Sequence, residues 1–343
     1  MDRRLLRLSR ALPLPAGWSA PELFADTVAL EGARGRVEVR RAGLQARGPD
    51  GTEATGSAAE LDGDPLPRAW YELLERVAIV EATGAPRPRV DAGGHPTGAF
   101  HVSAPARGKG ARRAARSNGV ALHRSFEAAR DAARRELVER DLVLGSWYGE
   151  LPLRRGVCPA RLAPFTGHDW EVRLVRDPDG VAPDLVAAVV VGFPRRSTVP
   201  LARGFAAAPD AHAAADAAAR EALQNLAFLW DEPVPVAAPT PSPTPFFHLD
   251  YYLVPAHHEA LRAWLDRDAA SSRPRPRTGP RTGPRAGRRP GRTAGAVSYV
   301  DLTPACLSGA ARVVRAVATS TRPLVFGPAA PPVAPTFCVH PIA

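Results

Sequence analysis

Two short stretches of this chain repeat one pattern. Glu72-Leu-Leu-Glu75-Arg76 and Glu136-Leu-Val-Glu139-Arg140 both read E-L-x-E-R. With 16 Glu and 44 Arg among 343 residues, chance placement gives roughly 0.1 matches to E-x-x-E-R. The i, i+3 spacing puts both carboxylates of a pair on one helix face. Carboxylates so placed repel each other unless a cation joins them. Mg²⁺ suits such a face, because it is a hard ion held by one or two carboxylates together with substrate phosphates. A third stretch, Glu221-Ala-Leu-Gln224, offers an acid and an amide at the same spacing. Three helices could therefore bring acidic ligands to one Mg-nucleotide. The competing reading of either pair alone is a solvated helix face, where Glu and Arg at these spacings are common.

These residues need helices under them. Pro65 and Pro67 precede a helix predicted over Arg68 to about Ala82, where Trp70, Leu73, Leu74, Val77 and Val80 keep a 3.6-residue period. A second helix is predicted from about Ser125, a suitable N-cap, to Tyr148. A third, Ala-rich, spans Asp210 to Trp230. A short strand is expected near Val120, and further strands over 170–176, 185–206, Val297–Leu302 and Arg312–Ala318. Leu185 to Val191 is almost continuously apolar and reads as central. Residues 1 to about 65 read as a small α+β start, with a strand over Arg36–Leu44 and a loop over Gly48–Gly63. Residues 84–116, rich in Gly, Pro and Arg, read as loop. Within it, Ala106-Arg-Gly-Lys-Gly110 lacks the GxxxxGK[ST] spacing of a phosphate loop and reads as solvated. Pro233 to Pro245 is a Pro-rich connector, followed by Phe246–Val254 and a helix from about His257 to Asp266.

The composition sets bounds on function. The 45% apolar and 23% charged content is ordinary for a globular chain. Lys109 is the only lysine, so the abundance of Arg, with 37 Pro and 29 Gly, looks like codon bias rather than function. The net charge of +10 owes eight units to Arg273–Arg292, which holds no acid. That segment, within 270–295, cannot bury a core and reads as a disordered insertion. It lacks the interleaved aromatics of a single-strand nucleic-acid binder, so nucleic acid is not an expected partner. Three distant cysteines, Cys158, Cys306 and Cys338, make neither a CxxC pair nor a disulfide framework. With no signal-peptide core and no run of 18 apolar residues, a cytoplasmic, non-membrane location is expected. Cys338-Val-His340 has too few partners for a metal site, and His257-His258-Glu259 reads as an exposed helix start.

The ordered sum of these motifs resembles the YcaO family. Ser117-Asn118-Gly119-Val120-Ala121 is followed, nineteen residues after Ser117, by Glu136-Leu-Val-Glu139-Arg140-Asp141, and an earlier E-x-x-E-R helix precedes both. Arg220-Glu221-Ala-Leu-Gln224, His248-Leu-Asp-Tyr251-Tyr252, Asp301-Leu302-Thr303 and Val313-Val314-Arg315 are similar to later family segments, in the family's order. The resemblance implies an α+β fold of mixed or antiparallel sheets with packed helices, binding ATP and Mg²⁺ without a P-loop. It places the family core at 66–269 and 296–343, after a divergent segment at 1–65 and around the 270–295 insertion, with a Pro-rich tail at the end.

The activity it implies is ATP-dependent activation of a backbone amide in a ribosomally made precursor peptide. A Cys, Ser or Thr side chain then closes a thiazoline or oxazoline ring. A thioamide-forming enzyme and a catalytically inactive scaffold are the alternatives. Glu72, Glu75, Glu136, Glu139 and Glu221 would ligate Mg²⁺ or hold its ligands. Ser117, Asn118, Arg76, Arg140 and Gln224 would meet the nucleotide, and Arg315 would neutralise phosphate as the catalytic arginine. The expected partners are the precursor peptide, a leader-peptide-binding or E1-like protein, and a second copy in a homodimer.

Overall fold

The computed structural model describes residues 2–102, 113–267, 296–327 and 339–343. The chain opens with a short helix, α1 (Arg3–Ala11), and an antiparallel meander of β1 (Glu22–Gly32), β2 (Gly35–Arg47) and β3 (Glu53–Glu60). The helix α2 (Leu66–Glu81) packs on β3 and buries Trp70, Leu73, Leu74 and Val77 completely. Asp64 Oδ1 accepts from Leu66 N at 3.1 Å, which satisfies a free donor at the start of α2.

The Gly48–Gly63 segment, expected as loop, contains β3 instead. Its sequence, Glu-Ala-Thr-Gly-Ser-Ala-Ala-Glu, carries almost no β-branched or aromatic signal. Small residues are what the position requires: a Cβ on Gly56 would overlap Ala69 O and Leu73 N of α2. Residues 84–116 also depart from the loop reading. They form a hairpin of β4 (Pro86–Val90) and β5 (Pro96–His101), then β6 (Arg113–Ala114). The two prolines of β4 lie beyond the residues that pair with the neighbouring central strand, so their missing N–H groups break no ladder there. The phosphate-loop-like string at 106–110 and the 270–295 segment lie outside the described residues.

The hairpin joins a five-stranded sheet ordered β5-β4-β12-β13-β7, with β7 at Val120–His123, β12 at Ser298–Asp301 and β13 at Arg312–Val317. A four-stranded sheet is ordered β11-β10-β9-β8, with β8 at Arg154–Arg155, β9 at His168–Val175, β10 at Val186–Pro194 and β11 at Ala202–Ala208. Eight of the nine residues of β10 are buried, as its apolar run requires. Among the described residues the named strands pair antiparallel, and an isolated parallel bridge joins Thr83 to Val102. The helix α3 (Phe126–Trp147), capped by Ser125 Oγ on Ala128 N, runs between these two sheets. Its end meets the main core, where Trp147 packs edge-on against Trp264 with centroids 5.2 Å apart. The helix α4 (Ala211–Leu229), capped by Asp210, lies on β11. Two short helices, α5 (Pro245–Leu253) and α6 (His258–Leu265), follow, and β14 (Val325–Phe326) pairs with β6. This is an α+β architecture. Among the described residues, no helix is long and apolar enough to cross a membrane.

One unit occurs three times. In β3, β7 and β11, or just before them, a glycine (Gly56, Gly119, Gly204) is followed by a residue whose N–H donates to a helix glutamate. The helix begins later in sequence and packs back on its own strand. Each helix also touches the next strand: α2 touches β7, α3 touches β11 and α4 touches β3. The three units therefore close a ring, and their glutamates share its centre.

Candidate active site

The strand N–H groups orient one carboxylate per helix. Ser57 N donates to Glu72 Oε2 at 2.7 Å, Val120 N to Glu136 Oε2 at 3.0 Å, and Phe205 N to Glu221 Oε2 at 3.3 Å. One turn along each helix, the second residue reaches inward or across. Glu75 Oε1 accepts from Leu122 N of the neighbouring unit at 2.6 Å. Gln224 Nε2 donates to Ser57 O at 3.2 Å, and its Oε1 accepts from Arg68 at 3.3 Å. Glu139 is different. It is 7% exposed, and its Oε1 has no hydrogen-bond partner. That oxygen lies 3.2 Å from Arg140 NH1, in a geometry that makes an ion pair but no hydrogen bond.

Burial disfavours the charged form of these acids. It pushes Glu75 to about 8, against the Leu122 N–H, with Glu136 and Glu72 adding repulsion. It pushes Glu136 to about 7, opposed by Arg140 and the Val120 N–H. Glu139 and Glu221 are raised by burial too, again opposed by Arg140. Without a cation, part of the cluster therefore holds protons near neutral pH. A folded pKa above the unfolded value means stability that is present at low pH and lost as pH rises through the folded pKa. Buried His168 and His340 and half-buried His258 act with the opposite sign: their pKa values are lowered, so their contribution is complete by about pH 7. The ligand-free chain is thus expected to lose about 1–2 kcal/mol between pH 7 and 8.5. Thermal melts across that window check this, and Glu75→Gln should lessen the fall without abolishing it, because Glu139 is raised to about 8 as well. A flat profile in the parent chain would contradict it.

A cleft of about 580 Å³ opens beside the cluster. Arg76, Asn118, Glu136 and Arg140 line it together with Pro245, Phe246 and Leu249. Gly119 adopts φ +69°, and a Cβ there would lie 3.0 Å from Ala316 O and 3.1 Å from Leu137 Cβ. The Ser117-Asn118-Gly119 turn therefore needs its glycine. It sets Asn118 at the cleft with Oδ1 buried and unpartnered.

The sequence-derived residues fall into three groups. Ser117, Asn118, Arg76, Arg140 and Glu136 line the cleft. Glu72, Glu75, Glu139, Glu221 and Gln224 stand behind it, Glu72 bonded to Arg76 and Gln224 engaged at both ends of its amide. Arg315 is half-buried on β13, with its guanidinium 5.1 Å from the Phe100 ring centre, and does not line the cleft. Burial lowers its pKa, and the field of Glu136 opposes that.

Several residues escaped the sequence reading. Asn225 lines the cleft, and the signal was present: Arg76, Arg140 and Asn225 each follow the first glutamate of their unit by four positions. Arg203 is a buried cation near Glu221, donating to His248 O at 2.9 Å, and burial lowers its pKa to about 10. The last residue, Ala343, lines the cleft behind a buried Val339–Ile342 stretch. His340 there donates from Nε2 to Val325 O at 2.9 Å and packs as tail, while Cys338 lies outside the described residues. His257 and His258, expected to be exposed, are half-buried, because each ring bonds a carbonyl at the end of α5, Tyr251 O at 2.6 Å and Tyr252 O at 3.0 Å.

Among the described residues, no group of three or more His, Cys, Asp or Glu is close enough to hold a metal ion. The donor chemistry nevertheless fits Mg²⁺ bound together with a nucleotide: the acids supply only oxygen, and Glu139 Oε1 and Asn118 Oδ1 are buried oxygens without hydrogen-bond partners.

No curated protein matches the chain. Among solved structures, a chain of the E. coli microcin synthetase McbBCD complex is 10% identical, with a TM-score of 0.49 over 86% of this chain and 87% of that one. The same complex with pro-MccB17 bound gives 11% identity and a TM-score of 0.48, covering 81% and 84%. The model of the YcaO cyclodehydratase family, described as ATP- and Mg²⁺-binding, matches residues 94–319. That span is about two thirds of the chain and takes in the S-N-G turn, the second and third acidic helices and the late Val-Val-Arg strand, so the chain belongs to the YcaO family.

Proposed function

We propose that this chain uses MgATP to activate a backbone amide of a ribosomally made precursor peptide, giving a thiazoline or oxazoline. The observation that supports this most is the convergence of three acidic helices on one cleft. In the reaction, a Cys, Ser or Thr side chain of the peptide attacks the preceding carbonyl carbon. The oxygen takes the γ-phosphoryl group of ATP, releasing ADP. Expulsion of phosphate and loss of the amide proton then leave the C=N bond of the ring. Bound Mg²⁺ would neutralise charge on the phosphates, held by carboxylates from Glu72, Glu75, Glu136, Glu139 and Glu221 or positioned by them. Ser117 and Asn118 offer hydrogen bonds at the cleft wall. Arg76 and Arg140 offset phosphate charge at the cleft, and Arg315, which does not line it, adds its charge only through the field it shares with Glu136. Catalysis of this kind is mainly positioning and electrostatics, which a rigid ring of strand–helix units can supply.

The test has two stages. MgATP should raise the melting temperature by several degrees at 100 times its dissociation constant, equivalent to about 2.7 kcal/mol, and EDTA should abolish the shift. ADP release should then depend on a Cys-containing precursor peptide and its leader-binding partner, with loss of one water per ring by mass spectrometry. Exchange of oxygen for sulfur would identify thioamide formation instead. A MgATP shift with no peptide-dependent ADP release, whatever partner is supplied, would identify a scaffold. No shift at all would overturn the nucleotide site.

A further inference from the structure

Asp141 closes the E-L-V-E-R-D stretch, and its carboxylate is bonded to Arg322. Asp141 is 2% exposed and Arg322 6% exposed. Arg322 makes five hydrogen bonds to described residues. Its backbone N donates to Asp141 Oδ1 at 2.6 Å, and its NH1 to the same oxygen at 2.9 Å and to Asp141 O at 3.1 Å. Its Nε and NH2 both donate to Glu150 Oε2, at 3.0 and 2.7 Å. Gly145 leaves the room: a Cβ there would lie 2.7 Å from Arg322 Cζ.

What Arg322 fastens is a strap, residues 322–327, that bears on the cleft. Leu324 and Phe326 line it. Leu324 O accepts from Ala115 N at 2.9 Å, and Val325 and Phe326 pair with Ala114 and Arg113. That ladder leads, within three residues, into Ser117-Asn118. The strap also holds the tail, where Val325 O accepts from His340, and it is tied to α5, where Gly327 N donates to His248 Nε2 at 2.9 Å. A two-residue ladder specifies its register weakly, because it has little side-chain pattern to select one. A buried, multiply bonded ion pair specifies it strongly, whatever its net contribution to stability.

We propose that Asp141 and Arg322 are positioning residues: their ion pair sets the register of the 322–327 strap, and through β6 it sets the place of Ser117 and Asn118 at the cleft. This rests on the nucleotide reading of the cleft given above. The pair touches no reacting atom.

The test separates positioning from folding. In the double variant Asp141→Leu/Arg322→Met, apolar side chains replace the buried pair, a change that commonly leaves stability intact. The folded double variant should bind MgATP at least tenfold more weakly by titration calorimetry. Amide exchange over 113–119 should quicken, while that of α3 stays unchanged. A parent-like melting temperature together with a dissociation constant within twofold of the parent would overturn the proposal. If the double variant does not fold, Arg322→Lys serves: one ammonium cannot bridge Asp141 and Glu150 as the guanidinium does. A folded Arg322→Lys chain should bind several-fold more weakly, and parent-like affinity there overturns the proposal equally. If the parent chain binds no MgATP, the nucleotide reading itself fails, and the role assigned to the pair fails with it.

Discussion

Glu139→Gln should weaken MgATP binding by about a hundredfold, a loss of about 2.8 kcal/mol, and leave the ligand-free chain folded. The two halves of this expectation come from one environment. Glu139 is buried, with one carboxylate oxygen that no protein donor satisfies and with Glu136 and Glu221 in its field. In the ligand-free chain its charge is a cost that Arg140 only partly offsets. A neutral amide of the same shape removes that cost, so the variant should melt at or above the parent temperature at pH 8. When a divalent cation arrives with the nucleotide, the same charge becomes the favourable one, and the amide cannot supply it. Titration calorimetry with MgATP reads the first half and thermal melts read the second. A dissociation constant within threefold of the parent would remove Glu139 from the metal-binding set. Glu75→Gln is informative beside it, because an amide oxygen can still accept from Leu122 N. Any loss of affinity there reports charge rather than a broken hydrogen bond.

Gly204→Ala should destabilise the chain by about 4 kcal/mol or more, in the range of severe overpacking against fixed atoms. A Cβ on Gly204 would overlap Ala218 O and Ala222 N. Those are backbone atoms inside α4, and no rotamer change can move them away. The helix would have to lift from β11, and the Phe205 N–Glu221 bond would open with it. Gly56→Ala meets the same obstacle in α2 and should behave alike. Gly43→Ala is the control, because the nearest atom to its Cβ would be Phe24 Cδ1 at 3.9 Å. That variant should stay within about 0.5 kcal/mol of the parent. Urea denaturation midpoints, or loss of soluble protein, decide the matter. A Gly204→Ala midpoint equal to that of Gly43→Ala would show that the strand–helix units tolerate a wider spacing than this ring implies.

The acidic helices were legible in the sequence because their information is local. Helical periodicity places Trp70, Leu73, Leu74 and Val77 on one face, and the i, i+3 rule puts Glu72 beside Glu75 and Glu136 beside Glu139 without reference to anything distant. Ser125 and Asp210 marked helix starts for the same reason, since a cap acts over three residues. The S-N-G turn and the apolar β10 were likewise evident. The reading stopped where partners far apart in sequence choose the conformation. β3 has the composition of a loop and is a strand because α2 lies close against its small residues. The β4–β5 hairpin keeps its prolines because of where β12 ends beside it. Asn225 became a cleft residue only once α4 was seen to stand in the same relation to β11 as α2 does to β3. The tail read only as Pro-rich, and the fold decides that it buries His340 against His248 and carries Ala343 to the cleft.

The sequence by itself determined which side chains each helix presents and at what spacing, because backbone geometry repeats every few residues. Only the tertiary structure decided that three such faces share one centre and raise one another's pKa values. Burial and mutual repulsion are properties of the closed ring, and the ring closes through contacts between residues as distant as Ser57 and Gln224.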